Sequence, residues 1–419
     1  MEDLLKDFRL FLDRSVCNYF AIEESVKRLE KANFIHLKEN ERWKLKKNEK
    51  YFLTRDNRSI IAFTTGNDLK EGFRIIASHS DSPTFKVKRN PEIIEDGFLK
   101  LNVESYGGMI VSSWFDRTLS LAGEISYNEN GKIKTKLVNI DKDLLSILNL
   151  AIHINREINN GYSYNIQKEL LPIVNVVDEK VEKGIFLNIL SKETKVSKEN
   201  ILDFDLNLYD RQKSSIIGDM IQSGRLDNLE MAHASLCAII ESDVNKFNLM
   251  IINDNEEIGS MTRRGANSTF LSDTLKRIYK NLGYDFEDFQ ISLSNSFMIS
   301  ADSAHSIHPN YTEKFDPTNR VKMGEGLVIK IDSQGAYTSD IEGISFIKKL
   351  AKDLGLNIQT FYNRSDQRGG STLGPITASK IAIKSVDVGN AIMSMHSIRE
   401  MASLKDHLNA YKIFKRFYN

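Results

Sequence analysis

The sequence predicts an α/β protein of two domains, one inserted into the other. Three observations lead there. Short apolar runs such as 247–252 read as buried strands, and each stops at a polar turn that opens a helix-compatible segment. Between about Asn90 and Asp203 the texture changes to brief β-like runs separated by Gly, Asn and Asp turns. The length, 419 residues, exceeds the usual single domain, and 41% hydrophobic content is ample for a packed core. The expected division is a discontinuous main domain, 1–89 with 204–419, and a β-rich insert, 90–203.

At the start of the chain Leu4, Leu5, Phe8 and Leu12, then Ile22, Val26 and Leu29, recur at helical spacing, with Ser15 as the expected cap between two helices. Tyr51-Phe52-Leu53 and 59–63 flank the turn 55–58 as a hairpin. The strand 73–77 ends in Ser78-His79-Ser80-Asp81-Ser82-Pro83. A lone histidine past a strand is more often structural than functional. Asp81, two residues on, makes a metal ligand with its orienting carboxylate a competing reading, because metal-bound imidazoles donate their other nitrogen to such a partner.

Within the insert, β-like runs at 98–103, 109–111, 132–138, 173–177 and 185–190 surround a stretch of helical periodicity, 144–158, that carries His153. The charged segment from Glu179 to Lys198 is expected to be exposed. Trp114-Phe115 beside Asp116-Arg117 suits an interface or a packed turn and holds no catalytic grouping.

The main domain resumes with Asp227 ahead of a helix over 230–240, where an N-cap aspartate is the ordinary reading. The strand 247–252 follows, then the turn Asn253-Asp254-Asn255 and two adjacent acids, Glu256 and Glu257. Burying either acid unpaired costs several kcal/mol, so the pair is solvated or held by something positive. A helix over 271–282 leads to the strand 296–302, which ends in Asp302, with His305 and His308 beyond. A strand at 328–331 and a helix at 344–354 come next. The glycine-rich turn 369–375 lacks the spacing and lysine of a phosphate cradle, which leaves a close-approach loop. The apolar run 391–395 delivers His396.

His79, the Glu256-Glu257 pair, Asp302 and His396 thus lie at or past the carboxyl ends of expected strands, with Asp227 beside a helix start. Parallel strands would bring them to one sheet edge, where open α/β sheets bind ligands. Two imidazoles and several carboxylates without cysteine suit zinc, manganese or cobalt, and the surplus of acids suits two metals about 3.5–4 Å apart sharing a carboxylate.

Composition excludes other classes. Lys plus Arg equals Asp plus Glu at 57 each, so no global field favours nucleic acid or anionic lipid. Two cysteines, Cys17 and Cys237, make no disulfide framework and suit a reducing compartment. MEDLLKDFRL does not read as a signal peptide, and no apolar run approaches the roughly 20 residues of a membrane span. The expected location is the cytoplasm.

Seven blocks carry a resemblance. IIASHSDSPTFKVK, SSWFDRTLSLAGEI, GRLDNL, NDNEEIGS, SADSAHSIHPNY, GGSTLGPI and MSMHSIREMA, in this order from about Arg74 to Ser403, resemble the motifs of the aspartyl aminopeptidase and aminopeptidase I family of cocatalytic zinc peptidases. The resemblance implies a three-layer α/β/α zinc-peptidase domain interrupted by a β-rich dimerisation domain. It implies dimers built into a dodecamer, and peptide substrates with a free N-terminus. It also implies two divalent metal ions per subunit, zinc first, with cobalt or manganese as alternatives. By the same resemblance Asp227 bridges the metals, His79 and Asp302 complete one, and Glu257 and His396 complete the other. Glu256 is then the general base and Asp81 the carboxylate that orients His79. His308 lines the pocket, and His153 lies where the family places a histidine that reaches a neighbouring subunit's active site.

One departure bears on specificity. Acid-selective members resemble VNSKQRYAS in the segment that here runs 331–339, so Gln334 stands at the lysine position and Ala336 replaces an arginine. Glutamine cannot supply the charge that offsets desolvating a substrate carboxylate, so neutral or broad specificity is expected. A di-metal deacylase of small N-acyl compounds and a non-catalytic self-assembling shell are the alternative readings. Adjacent Glu256 and Glu257 do not suit a glycosidase, whose two carboxyls face each other across a sugar.

Overall fold

A computed structural model describes residues 2–178, 180–367 and 369–419. Glu179, the first residue of the segment expected to be charged and exposed, lies outside the described residues. The chain forms two compact units, residues 1–81, 214–395 and 400–419 in the first, 82–213 and 396–399 in the second.

The first unit is built on a sheet of nine strands among the described residues. Its centre is four parallel strands, β1 (Phe73–His79), β2 (Phe247–Asn253), β3 (Phe297–Ala301) and β4 (Lys384–Gly389), in the spatial order β2-β1-β3-β4. Register aligns their carboxyl ends, with Asn253 opposite His79 and Ser300 opposite Ala77. The middles of β1, β2 and β3 (75–77, 249–252 and 297–299) read as unbroken apolar runs because both faces are covered, whereas β4 is KSVDVG. Ile76, Met250, Ile252 and Ile299 point into one core, and their neighbours Ile75, Ala77, Leu249, Ile251 and Met298 into the other.

The first core is roofed by α1 (Glu2–Arg14), α2 (Asn18–Lys31), α3 (Leu226–Ile240) and α4 (Leu404–Tyr418). The second is roofed by the helices Phe270–Asn281, Phe286–Asn295 and Leu373–Ile381. The architecture of this unit is therefore three-layer α/β/α. Phe8, Phe11, Phe414 and Tyr418 are fully buried between α1, α4 and the sheet, and each such apolar side chain contributes about 1.5–3 kcal/mol. Ser15 is not a cap for α2. Its N–H closes the last turn of α1 on Phe11 O at 2.9 Å, and extended Cys17 precedes α2 with no side-chain cap.

The second unit is built on an antiparallel sheet of six strands among the described residues, in the order Lys132–Asn139, Leu119–Glu129, Ile201–Asp210, Thr84–Glu95, Phe98–Tyr106 and Ile173–Val176. Phe85, Trp114, Leu121, Ile125 and Leu206 fill its core. Four sequence expectations change here. The stretch 144–158 is not a helix: Leu145 and Ile147 alternate inward through isolated bridges to Leu119 and Phe115, and only 156–159 make a 3-10 turn. The run 185–190 is not a strand but the start of the helix Ile185–Thr194, which buries Phe186, Leu190 and Thr194 at a spacing of four. Five apolar residues in a run of six, interrupted by Asn188, fit either period, and packing under the sheet selects the helix. The same helix anchors the segment expected to be exposed. Residues 109–111 form no strand, because the chain tightens there into a 3-10 turn over Val111–Trp114.

Candidate metal centre

His79 is the last residue of β1 and is 1% exposed. Its Nδ1 lies 3.1 Å from the backbone oxygen of Asp81 and 3.4 Å from Asp81 Oδ1. Its Nε2 faces three other carboxylates, with Asp227 Oδ1 at 3.7 Å and Glu256 Oε2 and Asp302 Oδ1 at 4.0 Å. Burial alone would lower the ring's pKa, but the Asp81 hydrogen bond and the charges of Glu256, Asp81 and Asp302 raise it well above the ordinary value.

The two glutamates arrive by a tightly specified turn. Asp254 is fully buried, receiving Asn18 Nδ2 at 2.8 Å, with Arg58 Nε at 2.7 Å and Arg264 Nε at 3.4 Å. Asn255 takes the left-handed conformation, φ 62°, which asparagine tolerates. Glu256–Ile258 then make one 3-10 turn that ends at Gly259, φ 90°, where a side chain would be strained. The Asp81 carboxylate accepts the N–H of Glu256 on Oδ1 and of Glu257 on Oδ2, each at 3.1 Å.

Asp227 does not act as a plain cap. Arg225, ahead of α3, makes no side-chain cap, and Asp227 and Asn228 depart from helical geometry. This presents the Asp227 carboxylate to His79, while its own N–H donates to Glu400 Oε2 at 3.0 Å and Asn228 Nδ2 donates to Ala301 O at 2.8 Å. Asp302 follows β3, as expected.

Sequence reasoning missed Lys330. It ends the otherwise apolar strand Leu327–Lys330 and is 3% exposed. Its ammonium donates to Ser303 O at 3.1 Å and lies 3.8 Å from Asp302 Oδ1 and 5.3 Å above the Tyr337 ring. A lysine closing an apolar strand was the available signal. Gln334 is exposed on the turn after this strand, its N–H given to Asp332 Oδ1. Gly374 serves close approach: a Cβ there would sit 2.6 Å from Asp387 Oδ2 and 2.8 Å from Ser300 Oγ.

Three further histidines carry expected roles. His308 is half-buried beside Tyr311, and its Nδ1 accepts the N–H of Asn310 at 3.2 Å. His153 is exposed on a turn of the second unit. His396 does not follow a strand of the main sheet. It follows Ala391–Met393 of a separate five-stranded sheet and groups with the second unit in the segment 396–399.

His79, Asp227 and Asp302 offer ligand atoms within 4.8 Å of one another. Burial, with Asp302, Asp227 and Asp81 nearby and only His79 opposing, pushes Glu256 up to about 8. Burial and Asp227 push Glu257 well above the carboxylate range, and burial raises Asp302 against the opposing Lys330. Carboxylates crowded so that they resist ionising, around one imidazole and without thiolates, are the donor set of divalent cations such as zinc.

The sequence profile of the family described as "Aminopeptidase I zinc metalloprotease (M18)" matches residues 11–418. The chain belongs to the M18 family of zinc aminopeptidases. A curated relative described as "Probable M18 family aminopeptidase 2", from Clostridium novyi (strain NT), is 45% identical to this M18 chain across 98% of it and 97% of the relative. A relative of the same description from Clostridium acetobutylicum is 46% identical over the same shares. Among solved structures, "Cryo-EM structure of the Ape4 and Nbr1 complex" superposes with TM-score 0.96 at 36% identity, covering 100% of this chain and 85% of that one. "Structure of S. cerevesiae mApe1 dodecamer" superposes with TM-score 0.86 at 26% identity, covering 100% and 96%. No helix among the described residues is long and apolar enough to cross a membrane.

Proposed function

We propose that this M18 aminopeptidase removes N-terminal residues from peptides with two divalent metal ions, zinc first, cobalt or manganese as alternatives. The observation that carries the reading is the cluster at His79 Nε2, where Asp227, Asp302 and Glu256 lie within 4.0 Å. When bound, such ions acidify water toward neutrality and polarise the scissile carbonyl. Asp227 would serve both ions, His79 and Asp302 would complete the ligands of one, and Glu257 and His396 those of the other. Asp81 orients His79 and holds the Glu256 backbone. Glu256 takes the proton of the attacking water and returns it to the leaving amine; its raised pKa suits both transfers near neutral pH. His308 lines the substrate pocket.

On specificity, neutral or broad preference rests on the absence of charge at Gln334 and Ala336 and on the pairing of Lys330 with Asp302 and Ser303 O. Gln334 is exposed, and the Lys330 ammonium is the cation an acidic side chain would have to win from Asp302. We further propose a homododecamer built from dimers through the insert, supported by the solved dodecameric structure and by the exposed Leu150, Ile152 and Ile154 that flank His153. In it His153 reaches a neighbouring subunit's active site. A content of two cysteines, Cys17 and Cys237, suits the cytoplasm.

The test is hydrolysis of aminoacyl anilides and their N-acetylated counterparts by protein stripped with chelator and reloaded with zinc, cobalt or manganese. Metal-dependent cleavage of free amino termini alone, with leucyl and methionyl substrates ahead in kcat/KM, is expected. Aspartyl and glutamyl substrates ahead would overturn the specificity reading, and cleavage of acetylated compounds alone would favour a deacylase.

A further inference from the structure

Asp227 is held by an acid on another strand. Glu400 opens the strand Glu400–Ser403, is 2% exposed and takes no part in the proposed chemistry. That strand pairs antiparallel with Met220–Ser223, with Ser223 opposite Glu400. From Ser223 the chain turns through Gly224 and Arg225, the latter left-handed at φ 62°, and enters α3 at Leu226. The sheet pairing thus sets Glu400 beside the start of the helix, where its Oε2 accepts the N–H of Asp227 at 3.0 Å. The first N–H groups of a helix have no partner within it, and Arg225, at the cap position, offers no side-chain cap. Glu400 therefore caps α3 from outside, and the positive end of the helix favours a carboxylate there.

We propose that Glu400 is a positioning residue of the metal centre, holding the backbone of Asp227 so that its carboxylate stays aimed at His79, where the ions would bind. The role rests on the two-metal reading of Asp227 given above. Asp227 and Asn228 leave helical geometry, at φ/ψ −77°/105° and −120°/22°, so the regular helix does not fix them. Contacts from outside do. Beside the Glu400 bond, Asn228 Nδ2 donates to Ala301 O at 2.8 Å, the carbonyl just ahead of Asp302. The charge of Glu400 has a use of its own. Glu230, one turn along α3, is fully buried, and burial with the charges of Asp406, Glu400 and Asp227 pushes it up to about 8 against the Asn390 hydrogen bond. Repulsion among crowded acids is relieved by a divalent cation, so the Glu400 charge strengthens metal binding while its hydrogen bond aims Asp227.

The decisive comparison is zinc affinity in wild type, Glu400→Gln and Glu400→Ala, measured by competition with a chromophoric chelator, together with the thermal midpoint of each protein stripped and zinc-loaded. Glu400→Gln keeps an acceptor and loses the charge, whereas Glu400→Ala loses both. Zinc binding is expected to weaken by about tenfold in the first and up to about 100-fold in the second, the range for partners of metal ligands. The rise in midpoint that zinc gives should shrink in the same order, and excess zinc should restore leucyl-anilide hydrolysis in Glu400→Gln. A merely structural glutamate would lower the stripped and loaded midpoints alike. That result, or zinc affinity within about twofold of wild type in both variants, overturns the proposal. Should Glu400→Ala fail to fold, Glu400→Gln decides. Wild type that binds fewer than two zinc ions would instead overturn the two-metal reading, and the positioning role with it.

Discussion

The Asp81 Oδ1 atom that lies 3.4 Å from His79 Nδ1 also accepts the backbone N–H of Glu256 at 3.1 Å. One carboxylate therefore sets the imidazole and the loop of the two glutamates together. Asp81→Asn keeps the shape and loses the charge that faces the ring. We expect kcat/KM and metal affinity to fall together, by about 10–100-fold. Steady-state kinetics with metal titration checks this, and a variant with wild-type values for both would remove Asp81 from the site.

Glu256 is a base rather than a ligand in the proposed roles. Glu256→Gln should lower kcat by about 10²–10⁴-fold with KM and metal content nearly unchanged. Loss of a metal ion in this variant would instead make Glu256 a ligand. Glu257→Gln is expected to behave in the opposite way, losing metal first.

Stability of metal-free protein should fall as pH rises. Glu256 and Glu230 are pushed up to about 8 from the ordinary 4.5, chiefly by burial. In this range the folded state holds protons that the unfolded state has released. The contribution is thus fully present below about pH 4.5 and lost as pH climbs through about 8. Thermal melts of chelator-treated protein from pH 5 to 8.5 should show a declining midpoint. Zinc-loaded protein should decline less, because cations favour ionised carboxylates. Equal slopes with and without zinc would contradict the charge-balance reading of the site.

Asp254 anchors the Glu256 turn from beneath, through Arg58, Arg264 and Asn18. Arg58→Ala leaves a buried carboxylate with weaker compensation and should destabilise the first unit by about 3–5 kcal/mol. The double variant Arg58→Ala with Asp254→Asn should cost less than the sum of the single changes. Denaturant titration of the three proteins measures this, and strict additivity would show that the two groups do not interact.

Much of the site was legible because its residues sit at punctuation marks of the chain. His79 closes β1, Asp302 follows β3, and Glu256 and Glu257 follow the turn after β2, so apolar run plus polar stop located them. Lys330 was not found, since a single lysine at the end of a strand reads as an ordinary edge. The start of the helix 185–194 was mistaken for a strand because five apolar residues in a run of six fit both periods. Helix α4 was passed over although Ile413, Phe414, Phe417 and Tyr418 recur at helical spacing.

By itself the sequence determined the α/β class, the separate β-rich texture of the middle of the chain and the residue types of the metal cluster. Those depend on local periodicity and on chemistry carried by single side chains. Tertiary structure alone decided that β1, β2 and β3 are parallel neighbours with aligned carboxyl ends, which brings Glu256 and Asp302 within 4.0 Å of His79, and that the irregular start of α3 presents Asp227 to the same ring. It also decided that Asp81 serves two loops and that Lys330 is buried against Asp302. Such pairings join residues far apart in the chain, and only the packing of both sheet faces selects them from the many that local pattern allows.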